Sequence, residues 1–213
     1  MKRARVILAD DHTMVLEALK RIVEESEFDV VGTFTDGKTL IDAAPGLDPD
    51  VVVLDIGMPR MNGLIAGELL KKICPRAKLI YMTMNRYSDL AVEAFQLGAS
   101  GYLLKTSALS ELVYAIREAL LGRTYITPQM ADIRGGSTAK ELRQQRARPE
   151  LTLRQKEILQ LLAEGRTMKE IAYLLDLSPR TIAFHKYKMM TQLELKSSAA
   201  LVQFAMKQSG VSG

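Results

Sequence analysis

The stretch Val51-Val52-Val53-Leu54-Asp55-Ile56-Gly57-Met58-Pro59-Arg60-Met61-Asn62-Gly63 decides the fold. Four consecutive aliphatic residues bounded by polar and turn-forming ones read as a strand buried on both faces, and such strands belong to parallel sheets covered by helices. The carboxylate of Asp55 then stands where the strand leaves the core for a loop. Open α/β sheets collect their ligands at that edge. Alone, an aspartate there is a turn former, so its meaning depends on what neighbouring strands bring to the same edge.

Working outward, Val6-Ile7-Leu8-Ala9 runs into Asp10-Asp11 in the same manner. Strands are predicted at 4–9, 28–34, 51–54, 78–83 and 100–104, alternating with helices at 13–25, 37–44, 63–73, 88–97 and 108–121. In the last helix Leu109, Leu112, Val113, Ile116 and Leu120 recur at helical spacing. This alternation implies an α/β fold with a five-stranded, doubly wound parallel sheet, flavodoxin-like, with right-handed crossovers and strand order 2-1-3-4-5. The crevice of that order lies beside strands 1 and 3, which carry Asp10, Asp11 and Asp55.

Three converging carboxylates repel one another, and a divalent cation relieves the repulsion. Mg2+ is the expected ion, because it takes hard oxygen ligands together with phosphate. Thr83 closes the fourth strand with a hydroxyl, and Lys105 closes the fifth with a compact ammonium. One carboxylate would attack phosphorus while hydroxyl and ammonium cradle the oxygens. The set reads as a phosphoryl-transfer site onto aspartate.

Composition bounds the alternatives. The 213 residues, 47% of them hydrophobic, suit a soluble globular protein of one large domain or two smaller ones. A single cysteine, Cys74, excludes an internal disulfide and a cysteine-based metal cluster. The two histidines, His12 and His185, lie far apart in sequence, so no zinc site is expected, and His12 is predicted to open helix 1. No stretch approaches the ~18 apolar residues of a membrane span, and Met1-Lys2-Arg3-Ala4-Arg5 precedes too few apolar residues for a signal peptide. A cytoplasmic location without membrane contact is therefore expected.

The alternation ends at residue 121. Thr124-Tyr125-Ile126-Thr127-Pro128 is suited to capping a short helix, but Arg134-Gly135-Gly136-Ser137-Thr138 and Gln144-Gln145-Arg146-Ala147-Arg148-Pro149 read as linker. The predicted division is a phosphoacceptor domain at 1–121, a linker at 122–148 and a second domain at 149–213. From residue 151 onward, nine Lys or Arg face five Asp or Glu, whereas residues 1–130 carry fifteen against seventeen. Nucleic-acid contact is expected in the basic C-terminal part.

That part contains four helix patterns. Thr152…Gln155 and Thr167…Glu170 are capping boxes, Gly165 ends the first helix, and Ser178-Pro179 starts a third helix running to about Leu193. The last helix spans about 198–208 and carries Leu201, Val202, Phe204, Ala205 and Met206, more apolar surface than one face requires. Helix, short turn, helix is a helix-turn-helix outline. On the third helix Ile182, His185, Met189 and Leu193 are predicted to pack against Leu159, Leu162, Ile171 and Leu174. Arg180, Ala183, Phe184, Tyr187 and Thr191 form the opposite stripe, flanked by Lys186 and Lys188. Cations mixed with exposed aromatics suit a DNA major groove.

Asp10-Asp11, Asp55 with Met58-Pro59-Arg60-Met61-Asn62-Gly63, Thr83, and Gly101-Tyr102-Leu103-Leu104-Lys105 together resemble the receiver domain of two-component response regulators, over roughly residues 3 to 121. The resemblance implies that Asp55 takes a phosphoryl group from the phosphohistidine of a sensor histidine kinase. It further implies Mg2+ held by Asp10, Asp11, Asp55 and the backbone carbonyl of Gly57. In such receivers the hydroxyl matching Thr83 moves onto the phosphoryl group and the ring matching Tyr102 swings into the vacated space, reshaping the face of helix 4, strand 5 and helix 5. Gly57 and Asn85 match positions that tune phosphoryl lifetime. A receiver assists its own phosphorylation and dephosphorylation and is otherwise not an enzyme.

Leu151-Thr152-Leu153-Arg154-Gln155-Lys156-Glu157-Ile158-Leu159, Ile171-Ala172, and Ser178-Pro179-Arg180-Thr181-Ile182 with His185 resemble the LuxR-type helix-turn-helix of NarL/FixJ response regulators, over about 149 to 210. This implies that the third helix enters the major groove of double-stranded DNA, with Thr181 near the backbone and Arg180, Ala183, Phe184, Lys186, Tyr187 and Lys188 as candidate contacts. Ala183 and Tyr187 stand where the family often has lysine. A homodimer on an inverted repeat, formed partly through the last helix, is expected, with RNA polymerase as a further candidate partner. The whole is expected to be a phosphorylation-switched transcriptional regulator. An aspartyl-phosphate phosphatase would also start with a carboxylate after a strand, but such enzymes carry a second acid two residues on, where this chain has Gly57. A regulator independent of phosphate is the other alternative, and the intact pocket argues against it.

Overall fold

The computed structural model describes residues 3–59, 61–84, 88–131, 151–175 and 177–209. The chain divides into two compact units, Met1–Arg146 and Ala147–Gly213. Among the described residues no helix is long and apolar enough to cross a membrane. Arg60, Asn85 and the linker motifs within 132–150 lie outside the described residues, as does the Arg180 side chain.

The first unit alternates β1 (Ala4–Ala9), α1 (Thr13–Glu24), β2 (Phe28–Phe34), α2 (Gly37–Leu47), β3 (Val51–Asp55), α3 (Gly63–Ile73), β4 (Lys78–Thr83), α4 (Ser88–Gln96), β5 (Gly101–Leu104) and α5 (Lys105–Leu120). A short β6 (Tyr125–Ile126) and α6 (Pro128–Ala131) follow. The strands pair in parallel in the order β2-β1-β3-β4-β5-β6, so the predicted five-strand order holds and a sixth strand is added at the edge. Every residue of β3 is buried, as its unbroken aliphatic run requires. One face of the sheet presents Val6, Leu8, Val51, Val53, Ile80, Met82 and Leu103 to α1 and α5. Alternation sends Val52 and Leu54, both fully buried, to the opposite face.

Several expectations are corrected. Strand β6 and α6 belong to the first unit, so the segment expected to be linker from residue 122 begins as sheet. The cause is the exposed edge of β5: Tyr125 N–H donates to Ser100 C=O at 3.1 Å, Thr127 N–H to Tyr102 C=O at 3.0 Å, and the Thr127 hydroxyl accepts from Leu104 N–H at 3.1 Å. Helix α2 continues through Pro45 to Leu47 where an end at 44 was expected. A proline in the last turn forfeits one helical hydrogen bond, and termination waits for Asp48, whose φ of 37° is left-handed. Helix α5 starts at Lys105, three residues early, which makes Lys105 the first helical residue. Its buried stripe is Ala108, Leu112, Ala115, Ile116 and Ala119, while Leu109 and Leu120 face outward. Small alanines let α5 lie close to the sheet.

The second unit holds α7 (Leu153–Ala163), α8 (Met168–Leu174), α9 (Pro179–Gln192) and α10 (Ser198–Ser209). Both capping boxes form: Thr152 accepts from Gln155 N–H while Gln155 reaches back, and Thr167 and Glu170 do the same. Gly165 takes φ 77° after α7, where a Cβ would be strained. Ser178 caps α9 by accepting from Thr181 N–H at 3.1 Å, with Pro179 at the first helical position. Ile158, Leu159, Leu162, Ile171, Ala172, Ile182, Met189, Leu201 and Ala205 form the core, each large aliphatic side chain contributing about 1.5–3 kcal/mol on burial. Leu174, expected in this core, is exposed, and Leu175 and Leu177 pack against it instead. The helix ends at Leu174, so the turn that follows carries the inward side chains.

Candidate functional site

The carboxyl ends of β1 and β3 place Asp10 and Asp55 side by side, fully buried and 3% exposed respectively. From the start of α5 the Lys105 ammonium reaches both: Nζ lies 2.8 Å from Asp10 Oδ2 and 3.0 Å from Asp55 Oδ2. Asp11 is partly exposed beside them and pairs with His12, whose Nδ1 stands 2.8 Å from Asp11 Oδ1 and 3.2 Å from Asp10 Oδ1. The expected convergence of Asp10, Asp11, Asp55 and Lys105 is therefore present. His12 does open α1, as expected, but its ring also joins the acidic cluster. Adjacency to Asp11 was the only sequence signal for that, and adjacency does not say where a ring turns.

Three carboxylates around one ammonium leave a surplus of negative charge in a confined space. Burial raises the pKa of Asp55 to about 6, and the Asp10 carboxylate adds to the rise, while Lys105 and the Gly57 backbone N–H oppose it. Asp10 Oδ2 and Asp11 Oδ1 are enclosed without a well-angled hydrogen bond, although the Lys105 and His12 nitrogens lie 2.8 Å away. Ligand atoms of Asp10, Asp11, His12 and Asp55 all fall within 4.8 Å of one another. Hard oxygens, spare acceptor capacity and excess negative charge suit a cation such as Mg2+.

The loop after β3 holds this geometry. Ile56 N–H donates to Met82 C=O at 2.9 Å, Gly63 N–H to Ile56 C=O at 3.1 Å, and the Asn62 side chain caps α3 by accepting from Ile65 N–H at 2.9 Å. A Cβ on Gly63 would fall 2.2 Å from the Asp55 carbonyl oxygen, so only glycine lets α3 start against the Asp55 backbone. Gly57 sits in the turn between them.

Thr83 ends β4 buried, with Leu104 as its neighbour in the sheet. Tyr102, one strand over, is fully buried, its ring tilted against Phe95 with centroids 6.3 Å apart. Burial pushes its phenol far above the ordinary range, opposed by the facing Thr83 hydroxyl. Their contact falls short of full hydrogen-bond geometry. The ring thus occupies the interior behind Thr83.

In the second unit, α9 separates its faces as expected. Ile182 and Met189 are fully buried and His185 is half-buried, while Ala183, Phe184, Tyr187, Lys188 and Thr191 are exposed and Thr181 and Lys186 are half-exposed. The Thr181 hydroxyl lies 2.8 Å from that of Ser178 at the N-terminus of α9.

A doubly wound domain with an acidic crevice, followed by a helix-turn-helix unit, defines the class of two-component response regulators. Residues 6–117 match the response regulator receiver domain, and residues 149–205 match the bacterial regulatory proteins of the luxR family. The chain is 31% identical to the transcriptional regulatory protein MctR of Rhizobium johnstonii, with 99% of this chain and 96% of that protein covered. It is 32% identical to the nitrate/nitrite response regulator protein NarL of Escherichia coli, with 91% of each covered. Among solved structures, the RcsB response regulator of Salmonella typhimurium is 28% identical with a TM-score of 0.68, over 98% of this chain and 99% of that one. RcsB from Salmonella enterica serovar Typhimurium bound to promoter rprA in the presence of phosphomimetic BeF3- is also 28% identical, with a TM-score of 0.66 over 96% and 99% of the two chains.

The chain belongs to the NarL/FixJ family of response regulators. It is a phosphorylation-regulated, DNA-binding transcriptional regulator of a two-component system, in a family of DNA-binding regulators.

Proposed function

We propose that Asp55 is the phosphoacceptor, receiving the phosphoryl group from the phosphohistidine of a sensor histidine kinase. The observation that carries this is the buried cluster in which Lys105 Nζ bridges Asp55 and Asp10. Asp10, Asp11, Asp55 and the Gly57 carbonyl would hold Mg2+, which when bound offsets the carboxylate charge and the charge on the phosphoryl oxygens. A carboxylate oxygen of Asp55 bonds to phosphorus as the phosphorus–nitrogen bond breaks. Lys105 pairs with a phosphoryl oxygen and Thr83 donates its hydroxyl to another.

The new charge of about −2 draws Thr83 towards the pocket, and the Tyr102 ring, buried beside it, moves into the space Thr83 vacates. The face of α4, β5 and α5 reports the change, which promotes homodimerisation and binding to an inverted repeat. Helix α9 enters the major groove, with Arg180, Ala183, Phe184, Lys186, Tyr187 and Lys188 towards DNA and Thr181 near the backbone. Part of α10 contributes the dimer contact, and RNA polymerase is a further partner at promoters. The protein acts in the cytoplasm. The two domains are receiver 1–121, extended by β6 and α6, and DNA-binding domain 149–213.

Asp55→Asn should abolish labelling of the full chain by a small phosphodonor with Mg2+. Labelling retained at another residue would overturn the assignment.

A further inference from the structure

We propose that Ala183, Phe184 and Tyr187 read the 5-methyl groups of thymine in this regulator's DNA site. The inference rests on the reading of α9 as the groove-entering helix and adds what that helix reads. The three residues share one face in the N-terminal and middle turns of α9, the part that reaches base edges in a helix-turn-helix. All three are exposed, Phe184 by 62% and Tyr187 by 73%. The ring contact of Phe184 among the described residues is an edge-on one with its neighbour His185, centroids 5.9 Å apart.

Two aromatic rings held this far into water are stabilised by whatever covers them. The charge around them favours DNA as that cover. Lys186 and Lys188 flank the face, and the chain from residue 151 carries nine basic against five acidic side chains.

The chemistry of the face then selects what it can distinguish. Ala183, Phe184 and Tyr187 offer one hydrogen-bonding side-chain atom between them, the Tyr187 hydroxyl. Thr191, one turn further, spends its hydroxyl on the Tyr187 carbonyl at 3.1 Å. Donor and acceptor patterns on guanine, cytosine and adenine edges are read by forked, amide or charged side chains, which Ala183, Phe184 and Tyr187 are not. The one apolar group that a base pair shows in the major groove is the thymine methyl, and it is what alanine and aromatic side chains contact there. Covering one methyl changes affinity by roughly threefold to fivefold, so two or three give about ten- to a hundredfold discrimination.

Deoxyuridine removes that methyl and leaves every polar edge in place, which makes a direct test. The full chain, with beryllofluoride and Mg2+, is first used to enrich duplexes from a random pool. Each thymine in the enriched half-site is then replaced by deoxyuridine. Replacement at two or three thymines should together weaken binding about ten- to a hundredfold, and Phe184→Ala and Tyr187→Ala should make binding insensitive to it. Tyr187→Phe should keep the thymine preference. Specific binding that ignores deoxyuridine overturns the methyl reading while leaving α9 in the groove. Loss of specificity in Tyr187→Phe also overturns it, because recognition would then rest on the hydroxyl. If no sequence is enriched and the chain instead binds acidic vesicles or a protein through Phe184 and Tyr187, both the methyl reading and the placing of α9 in the groove fail.

Discussion

Lys105 Nζ stands 3.0 Å from Asp55 Oδ2 while also touching Asp10, so one ammonium serves two buried carboxylates. Neither acid is fully neutralised by a cation it shares, and Asp11 adds a third charge at the rim. The pocket is therefore under electrostatic stress that protonation, a metal or a substitution can relieve.

Protonation gives the first prediction. The folded-state pKa of Asp55 is raised to about 6, above the unfolded value near 4, so the folded chain holds this proton more tightly. The stabilisation is fully present below pH ~4 and is lost as pH rises through ~6. Without divalent cations, Asp55→Asn should be more stable than the wild type at pH 7 by about 1–3 kcal/mol, with the difference shrinking towards pH 4. Urea denaturation across that range measures it, and a constant difference would refute the assigned shift.

Mg2+ should act on the same stress. At a hundredfold excess over its Kd it should stabilise the wild type by about 2.7 kcal/mol, read as a higher midpoint in thermal unfolding. In Asp11→Asn the shift should be much smaller at the same concentration, because one hard anionic donor is gone. An undiminished shift would place the ion elsewhere.

Thr127 is fully buried and joins two elements: its hydroxyl donates to Glu111 on α5 at 2.8 Å and accepts from Leu104 N–H on β5 at 3.1 Å. Thr127→Val keeps the shape but removes both bonds, stranding the Leu104 N–H. The expected cost is about 1–3 kcal/mol, with faster hydrogen exchange at the Leu104 amide. Unchanged exchange there would show that β6 does not seal the edge of β5.

Lys188 is exposed beside the outward face of α9. As a phosphate contact, its replacement in Lys188→Ala should weaken binding about equally on specific and random duplexes and reduce the salt slope by about one. Tyr187→Ala should instead lose far more on the specific duplex. Equal losses for both variants would mean that Tyr187 touches only the backbone.

The pocket was legible in the sequence to the extent that its residues close strands. Asp10, Asp55 and Thr83 follow aliphatic runs whose length and composition are local properties, and the strand order then forces them together. Lys105 was placed at the same edge, though the structure makes it the first residue of α5. His12 in the cluster, the two-residue β6 and the inward position of Tyr102 were not legible. Each depends on which way a side chain turns or on which backbone lies alongside, and a short strand has no periodicity of its own. The buried alanine stripe of α5 was missed for a related reason: alanine carries little hydrophobic signal, and close approach to the sheet decides its burial.

The sequence by itself determined a doubly wound α/β domain joined to a helix-turn-helix unit, because buried runs, caps and apolar spacing act within a few residues, and its motifs carry the resemblance to a receiver and a LuxR-type unit. It also separated the faces of α9, since helical period alone puts Ile182 and Met189 opposite Phe184 and Tyr187. Only the tertiary structure decided that Lys105 is shared between Asp10 and Asp55, that His12 turns towards the acids, and that the chain after α5 seals the edge of β5. Those are contacts between segments up to 95 residues apart, set by how elements pack, and no local pattern encodes them.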